Sequence, residues 1–472
     1  MKIAFCSSEV FPYAKTGGLA DVCGALPLAL AKLGHQISIF LPHYKCIQDQ
    51  KLKLTKVNEG VFKIDRFPTQ NVDVYFIRHD GFFNRPGLYG DDQGDYPDNL
   101  ERFQFYCRSV LDSLKQLNIE ADIIHCHDWQ TALIPVYLKE KYQNDSFYSS
   151  MKTLLTVHNL AYQGIFPKEE YKKLGLRQDL FGLEGFEYFG KINLLKAGII
   201  FSDAVNTVSP QYAKEIQTHT FGCGLEGVLR SHQDSVVGIL NGLDHEFWNP
   251  EADKLIEKKY SREDFIKGKL ENKKALEKNT GLPVDARVPL FGFVGRLAHQ
   301  KGLDLILDSV EELMRLEAQF IIQGTGNGEY PAKLKEISKR FPRKFAIWLK
   351  FDEKMAHQIY AGSDFFLMPS LFEPCGLSQM ISLRYGTIPI VFKTGGLVDT
   401  IISFDKNRKN GNGFMFEKYF KEDFVGIIKE AIQVFENKKI FGHLMEDGLK
   451  ADFSWDKSAV KYVELYEHCL TL

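Results

Sequence analysis

The sequence predicts an α/β protein of two similar lobes, and three observations carry that prediction. Short apolar runs alternate with longer segments of helical periodicity, the pattern of parallel β-α units. A turn, Lys15-Thr16-Gly17-Gly18-Leu19-Ala20-Asp21-Val22, follows one apolar run and is echoed near the other end by Lys393-Thr394-Gly395-Gly396-Leu397-Val398-Asp399-Thr400. At 472 residues the chain also exceeds one ordinary core, so two or three domains are expected.

Taken in order, Ile3-Ala4-Phe5-Cys6 reads as the first strand, and Leu26, Leu28, Ala29, Leu30 and Leu33 mark a helix beyond the glycine turn. Adjacent glycines let backbone amides approach a ligand, the helix N-terminus favours negative charge, and Lys15 adds a point charge suited to phosphate. Buried strands follow at residues 37–40, 123–126, 154–157 and 204–207. Several end in polar residues: Pro42-His43, His127-Asp128 and His158-Asn159. Parallel sheets gather ligand-binding groups at such carboxyl ends.

Residues 81–99 interrupt the alternation with Gly, Asp, Asn and Pro among Phe82, Phe83, Tyr89 and Tyr96. Two readings compete: aromatics exposed to stack on sugar faces, or aromatics that anchor an exposed loop to the body. Turn residues crowd at Asn241-Gly242-Leu243-Asp244, where the domain junction is placed. The lysine-rich residues 254–278 read as a solvated helical surface.

The second series begins at residues 290–294 and continues with one helix over residues 303–314 and strands at 320–322, 365–368 and 388–391. The terminal segment from Trp455 is amphipathic, with Val460, Val463, Tyr466 and Leu470 as its apolar face.

Composition narrows the function. A net charge of −2 creates no broad field for nucleic acid or an anionic membrane, so neither is expected as a partner. The N-terminus reaches Glu9 and Pro12 too soon for a secretory signal, and no run approaches a membrane span. Eight scattered cysteines without a C-x-x-C pair suit reduced thiols in a cytoplasm.

Three constellations carry chemistry. Arg296 and Lys301, after a strand end and beside a helix start, form an electropositive trap for a diphosphate. Glu373-Pro374-Cys375-Gly376-Leu377 offers a carboxylate for sugar hydroxyls and amides for phosphate. His125 and His127 share one face of a strand, which geometry allows as a metal pair, but no third ligand is apparent nearby and no metal is expected. Gly324-x-Gly326-x-Gly328 lacks dinucleotide spacing, and no Gly-x-x-x-x-Gly-Lys-Ser/Thr loop occurs, which disfavours dehydrogenase and kinase chemistry.

These residues together resemble the bacterial glycogen and plant starch synthases. The resemblance rests on residues 15–22, His127-Asp128-Trp129, Thr156-Val157-His158-Asn159, Asn241-Gly242, Gly295-Arg296-Leu297, Gln300-Lys301-Gly302, residues 373–377 and residues 394–400, and spans nearly the whole chain. It implies a GT-B fold: two Rossmann-like domains, 1–242 and 243–454, with a cleft between them and a C-terminal helix, 455–472, packing back on the first. It implies retaining transfer of glucose from ADP-glucose to the non-reducing end of an α-1,4-glucan such as glycogen, without a cofactor.

By the same resemblance, Lys15, Gly18 and Asp21 serve the donor from the first domain. Arg296 and Lys301 neutralise its diphosphate from the second. Glu373 holds sugar hydroxyls, supported by Cys375, Gly376 and Leu377 and by Thr394, Gly395 and Gly396. His158, Asn159 and Asn241 approach the glucose, Asp128 lies near the reaction centre, and Tyr89 and Tyr96 fall where the family engages the glucan. Same-face attack, with Glu373 positioning rather than attacking, is the favoured route. Asn327-Gly328-Glu329-Tyr330 departs from the family's usual pattern and leaves local donor contacts open. Two alternatives remain: UDP-glucose as the donor, or a non-catalytic glucan-binding protein on the same fold. Lys15, Arg296, Lys301 and Glu373 occurring together argue against the latter.

Overall fold

The computed structural model describes residues 1–64, 71–232, 236–326 and 328–472, so Asn327 lies outside the described residues. The chain divides into two compact units, Met1–Gly242 with Trp455–Leu472, and Leu243–Ser454.

The first unit is built on a nine-stranded sheet. Across it run Val236–Gly238, Ala204–Thr207, Lys152–Val157, Ile123–His127, Lys2–Cys6, Gln36–Pro42 and Val72–Ile77, all parallel, and then the antiparallel Val61–Ile64 and Leu54–Asn58. From Lys2–Cys6 the chain first adds strands on one side, then crosses to the other at Ile123–His127. Loops leaving those two strands therefore part in opposite directions, which opens a ligand crevice at their carboxyl ends.

In the second unit six parallel strands run in the spatial order Phe345–Trp348, Gln319–Gln323, Leu290–Val294, Phe365–Met368, Ile388–Phe392 and Phe414–Phe416. The reversal falls between Leu290–Val294 and Phe365–Met368. These strands are apolar throughout because helices cover both faces of a parallel sheet. Phe291 stacks on Phe320 and on Phe365 at the centre of the core, with centroids 5.1 and 4.9 Å apart.

Three expectations need correction, and one open choice is decided. The helix at residues 303–314 is two helices, Leu303–Asp308 and Val310–Leu313, broken where the Ser309 hydroxyl donates back to the Leu305 carbonyl. The terminal helix, Trp455–Thr471, turns Val460 and Leu470 outward and buries Trp455, Ala459, Tyr462, Leu465, Tyr466 and Cys469. The lysine-rich helix, Phe265–Thr280, is not a plain solvated surface. Its Lys269 ammonium donates to the Ala361 carbonyl and Thr387 hydroxyl, and Lys273 to the Val288 carbonyl and Asp364, so both cations are buried with partners. In residues 81–99 the aromatics are anchors. Phe83 is fully buried, and the Tyr96 ring carries the Arg85 and Arg102 guanidinium groups, each 4.9 Å from its centroid.

Candidate functional site

In the first unit the turn at Lys15 is organised by a residue that sequence reasoning missed. Glu9 is buried, and its Oε2 accepts from the Thr16 and Gly17 amides at 2.5 and 3.2 Å. Its Oε1 accepts from the Thr16 hydroxyl at 2.6 Å and from the Tyr89 hydroxyl at 2.7 Å. Two amides of the turn are thus already committed to a carboxylate. Gly18 and Leu19, which open the helix Gly18–Lys32, are the amides without an intrahelical acceptor. Lys15 is exposed and paired with Asp21 at 2.6 Å, so it is a tethered charge rather than a roaming one. Tyr89 joins this cluster through Ser8 as well, at 2.8 Å.

At the neighbouring strand ends, Asp128 follows Ile123–His127 and His158 follows Lys152–Val157. Asp128 adopts φ 55°, and its Oδ1 accepts from the His158 amide at 2.7 Å. Burial pushes the Asp128 carboxyl up to about 7, against the lowering effect of the His158 and Asn159 amides. Burial also takes His158 down to about 3, so its imidazole is neutral at physiological pH and can both donate and accept hydrogen bonds. Asn159 caps its own turn, its Oδ1 accepting from the Ala161 amide. Asn241 is buried just before the unit ends at Gly242, and its Oδ1 has no hydrogen-bond partner among the described residues.

The histidine pair expected on one strand face divides its loyalties. His125 Nδ1 meets the Tyr466 hydroxyl at 2.8 Å and its Nε2 meets the Thr156 hydroxyl at 2.6 Å. Because Thr156 donates to Asn206, His125 donates to Thr156 and accepts from Tyr466 of the terminal helix. His127 turns to His158 instead, Nδ1 to Nε2 at 2.9 Å. Cys23 completes a group of three: one ligand atom from each of Cys23, His127 and His158 lies within 4.8 Å of the others. The third metal-ligating side chain, absent from the neighbouring sequence, is brought in by the helix after the glycine turn.

The second unit brings three loops together at the ends of three adjacent strands. Arg296 and Lys301 follow Leu290–Val294, Glu373 follows Phe365–Met368, and Thr394 to Gly396 follow Ile388–Phe392. Lys301 Nζ lies 2.6 Å from Glu373 Oε2, which also accepts from the Ser370 hydroxyl at 3.0 Å. Exposed Arg296 donates to the Gln300 side chain at 3.0 Å, and the Gln300 carbonyl accepts from the Leu371 amide at 2.9 Å.

Gly395 and Gly396 let the last loop touch the second. The Gly396 amide donates to the Glu373 carbonyl at 3.1 Å. A Cβ on Gly395, which has φ +44°, would stand 2.0 Å from that same oxygen, and one on Gly396 would stand 2.2 Å from the Cys375 carbonyl oxygen. Cys375 is buried, while Gly376 and Leu377 lead into the helix Ser378–Arg384. Gln379 ties that lead-in down, donating to the Cys375 and Gly376 carbonyls at 3.0 Å each. A buried carboxylate, two cations and a glycine turn thus lie at a topological switch point, the place where doubly wound sheets bind ligands.

Comparison with known proteins finds relatives along the whole chain. The starch synthase catalytic domain matches residues 2–231, and glycosyl transferases group 1 match residues 275–442. The glycogen synthase of Thermodesulfovibrio yellowstonii is 42% identical, covering 99% of this chain and 97% of its own. That of Thermosipho melanesiensis is 43% identical, covering 100% and 99%. Among solved structures, the catalytic domain of starch synthase IV from Arabidopsis thaliana, bound to ADP and acarbose, superposes with a TM-score of 0.89 at 34% identity, covering 100% of this chain and 99% of that one. The sucrose-phosphate synthase of Thermosynechococcus elongatus, at TM-score 0.63 and 17% identity over 100% and 99% of the chains, shares the fold.

The protein is accordingly a glycosyltransferase of GT-B fold, with a doubly wound sheet in each unit. The chain belongs to the glycogen synthase family.

Proposed function

We propose that this chain transfers glucose from ADP-glucose to the non-reducing end of an α-1,4-glucan, with retention of anomeric configuration. The observation that carries the proposal is the convergence of Arg296, Lys301, Glu373 and the Thr394-Gly395-Gly396 turn at the switch point of the second unit. ADP, bound by the similar starch synthase IV, supports adenine as the base. The nucleotide sugar is assigned to residues 243–454 and the glucan to residues 1–242, with the helix 455–472 serving the latter.

Breaking a sugar–phosphate bond leaves an oxocarbenium-like sugar and a departing diphosphate whose negative charge must be met. Arg296 and Lys301 supply fixed positive charge for it, the kind of preorganised stabilisation that lowers a barrier most. Lys301 is held by Glu373, so its charge is aimed before the donor arrives. Glu373 Oε2 already carries two donors, which suits a carboxylate that orients sugar hydroxyls and not one that attacks carbon. Retention then follows from attack by the glucan hydroxyl on the face the phosphate leaves, with the phosphate oxygen taking the hydroxyl proton. Cys375, Gly376 and Leu377 contribute backbone to the sugar and phosphate.

From the first unit, Gly18 offers an amide and Lys15, with Asp21, a charge to the donor. His158, Asn159 and Asn241 contact the glucose, with Asp128 beside the reacting centre. Tyr89 acts through Glu9 on the turn, and Tyr96 supports the loop that meets the glucan. All eight cysteines are free thiols, and among the described residues no helix is long and apolar enough to cross a membrane. The free thiols are in keeping with work in a reducing cytoplasm.

Nuclear magnetic resonance on a maltooligosaccharide incubated with ADP-glucose labelled at C1 tests the stereochemistry. A labelled α-1,4 signal at the non-reducing end is expected. A β-linked product would overturn retention.

A further inference from the structure

We infer that Cys23, His127 and His158 form a binding site for a thiophilic divalent cation such as Zn²⁺, and that filling it shuts off glucosyl transfer. The second clause rests on the proposed reading, in which His158 meets the donor glucose; the first does not.

The three ligands come from three separate elements. Cys23 lies in the helix Gly18–Lys32, His127 ends the strand Ile123–His127, and His158 follows the strand Lys152–Val157. Their ligand atoms all lie within 4.8 Å of one another. Zinc takes a thiolate at about 2.3 Å and imidazole nitrogens at about 2.0–2.1 Å, which sets tetrahedral ligand atoms about 3.3–3.7 Å apart. The present spacing exceeds this by little more than about 1 Å.

The donor set is selective. One thiolate with two imidazoles suits zinc and its thiophilic neighbours and is a poor match for magnesium or calcium, which want oxygen. Three protein ligands leave the fourth tetrahedral position for water or an incoming ligand. Cys23 and His127 are fully buried and His158 is half-buried, so His158 is the side from which an ion enters.

A second, independent observation points the same way. The Nε2 of His127 is buried and has no hydrogen-bond partner among the described residues. An orphaned polar atom at this depth is costly, and giving its lone pair to a metal ion satisfies it. The 2.9 Å contact between His127 Nδ1 and His158 Nε2 already brings two ring nitrogens together.

Binding is written as a proton exchange. The Cys23 S–H gives its proton to solvent and the sulfur electron pair to the ion, while both imidazoles ligate as neutral rings. Ligation takes one ring nitrogen of His158 and fixes the ring, so it no longer turns to a sugar hydroxyl and the occupied enzyme is inactive.

The test uses metal-free full-length protein. Titration with Co²⁺ should give one equivalent of tightly bound ion and a thiolate-to-cobalt charge-transfer band, which Zn²⁺ then displaces. Cys23→Ala should lose the band, and Cys23→Ser, which keeps the side-chain volume, decides the matter if the alanine variant fails to fold. No band in the wild type, or an undiminished band in the folded variant, overturns the site.

Glucose transfer to glycogen is then measured with and without Zn²⁺. The wild type should lose activity and regain it with a chelator. Cys23→Ala should keep basal activity and tolerate zinc by more than the about 10–100-fold that losing an outer-shell partner costs a metal site. Equal zinc sensitivity in both proteins overturns the inhibitory role. Failure of the metal-free wild type to transfer glucose would count against the proposed function and leave the cobalt result standing.

Discussion

Lys301 and Glu373, 72 residues apart, form an ion pair of 2.6 Å between loops that leave the two strands flanking the switch point of the second unit. Glu373 is nearly buried and Lys301 is about one-fifth exposed, so the pair is only partly screened by water. The pair couples the proposed sugar-holding group to the proposed phosphate-holding group, which makes one residue's position depend on the other's charge.

Lys301→Ala should therefore damage more than phosphate binding. Removing one preorganised charge costs about 10²–10³ in kcat in comparable sites. Steady-state kinetics with ADP-glucose should show a loss of that order, alongside weaker ADP binding by calorimetry. Lys301→Arg should recover little, because a planar fork does not replace a compact ammonium in a 2.6 Å contact. An alanine variant within threefold of wild type would show the pair to be structural only.

Gly396→Ala tests the contact between loops. The new methyl would stand 2.2 Å from the Cys375 carbonyl oxygen, so one loop must move away. Overpacking of this kind costs about 1–3 kcal/mol. Thermal denaturation should register it, and the loss in kcat/KM should exceed what the fall in folded fraction explains. Unchanged activity would mean that the spacing of the two loops does not matter for transfer.

Asp128→Asn has a pH signature whose sign is fixed. The carboxyl titrates at about 7 in the folded protein and at about 3.9 when unfolded. Between these values the native state holds a proton that the unfolded state has lost, so wild-type stability falls as pH rises through that window. Asparagine cannot ionise yet keeps an oxygen for the His158 amide. The variant's Tm should exceed that of wild type by more near pH 8 than near pH 5. A gap that is the same at both pH values would contradict the burial argument.

Glu9→Gln should loosen the turn at Lys15. A carboxylate that accepts from two amides and two hydroxyls becomes a group with only one oxygen. Leaving a buried donor unsatisfied costs about 1–3 kcal/mol. The expected kinetic result is a raised KM for the donor with a smaller change in kcat. A fall in kcat alone would put Glu9 in chemistry instead.

Much of this was readable beforehand for physical reasons. Strands of a parallel sheet are buried on both faces, so Phe291, Ile321, Phe365 and Ile390 stand in continuous apolar runs that mark their positions without any partner. Arg296, Lys301 and Glu373 belong to quotable motifs. Glu9 and Ser370 do not, because each acts by hydrogen bonds within its own loop that residue type does not announce. Cys23 does not, because it meets His127 and His158 across sequence distance. The terminal helix misled for a different reason: beside the expected Tyr466, its buried face uses Tyr462 and Ala459, whose hydroxyl and small volume are invisible to a search for aliphatic residues. The buried Lys269 and Lys273 were hidden likewise, since lysine reads as solvated until carbonyls are found at its tip.

The central claim is glucosyl transfer from an adenine nucleotide sugar to a glucan. Glucose incorporation into glycogen, measured side by side with ADP-glucose and UDP-glucose as the labelled donor, tests it most directly. The account predicts incorporation with ADP-glucose at the higher kcat/KM. No incorporation from either donor would contradict it.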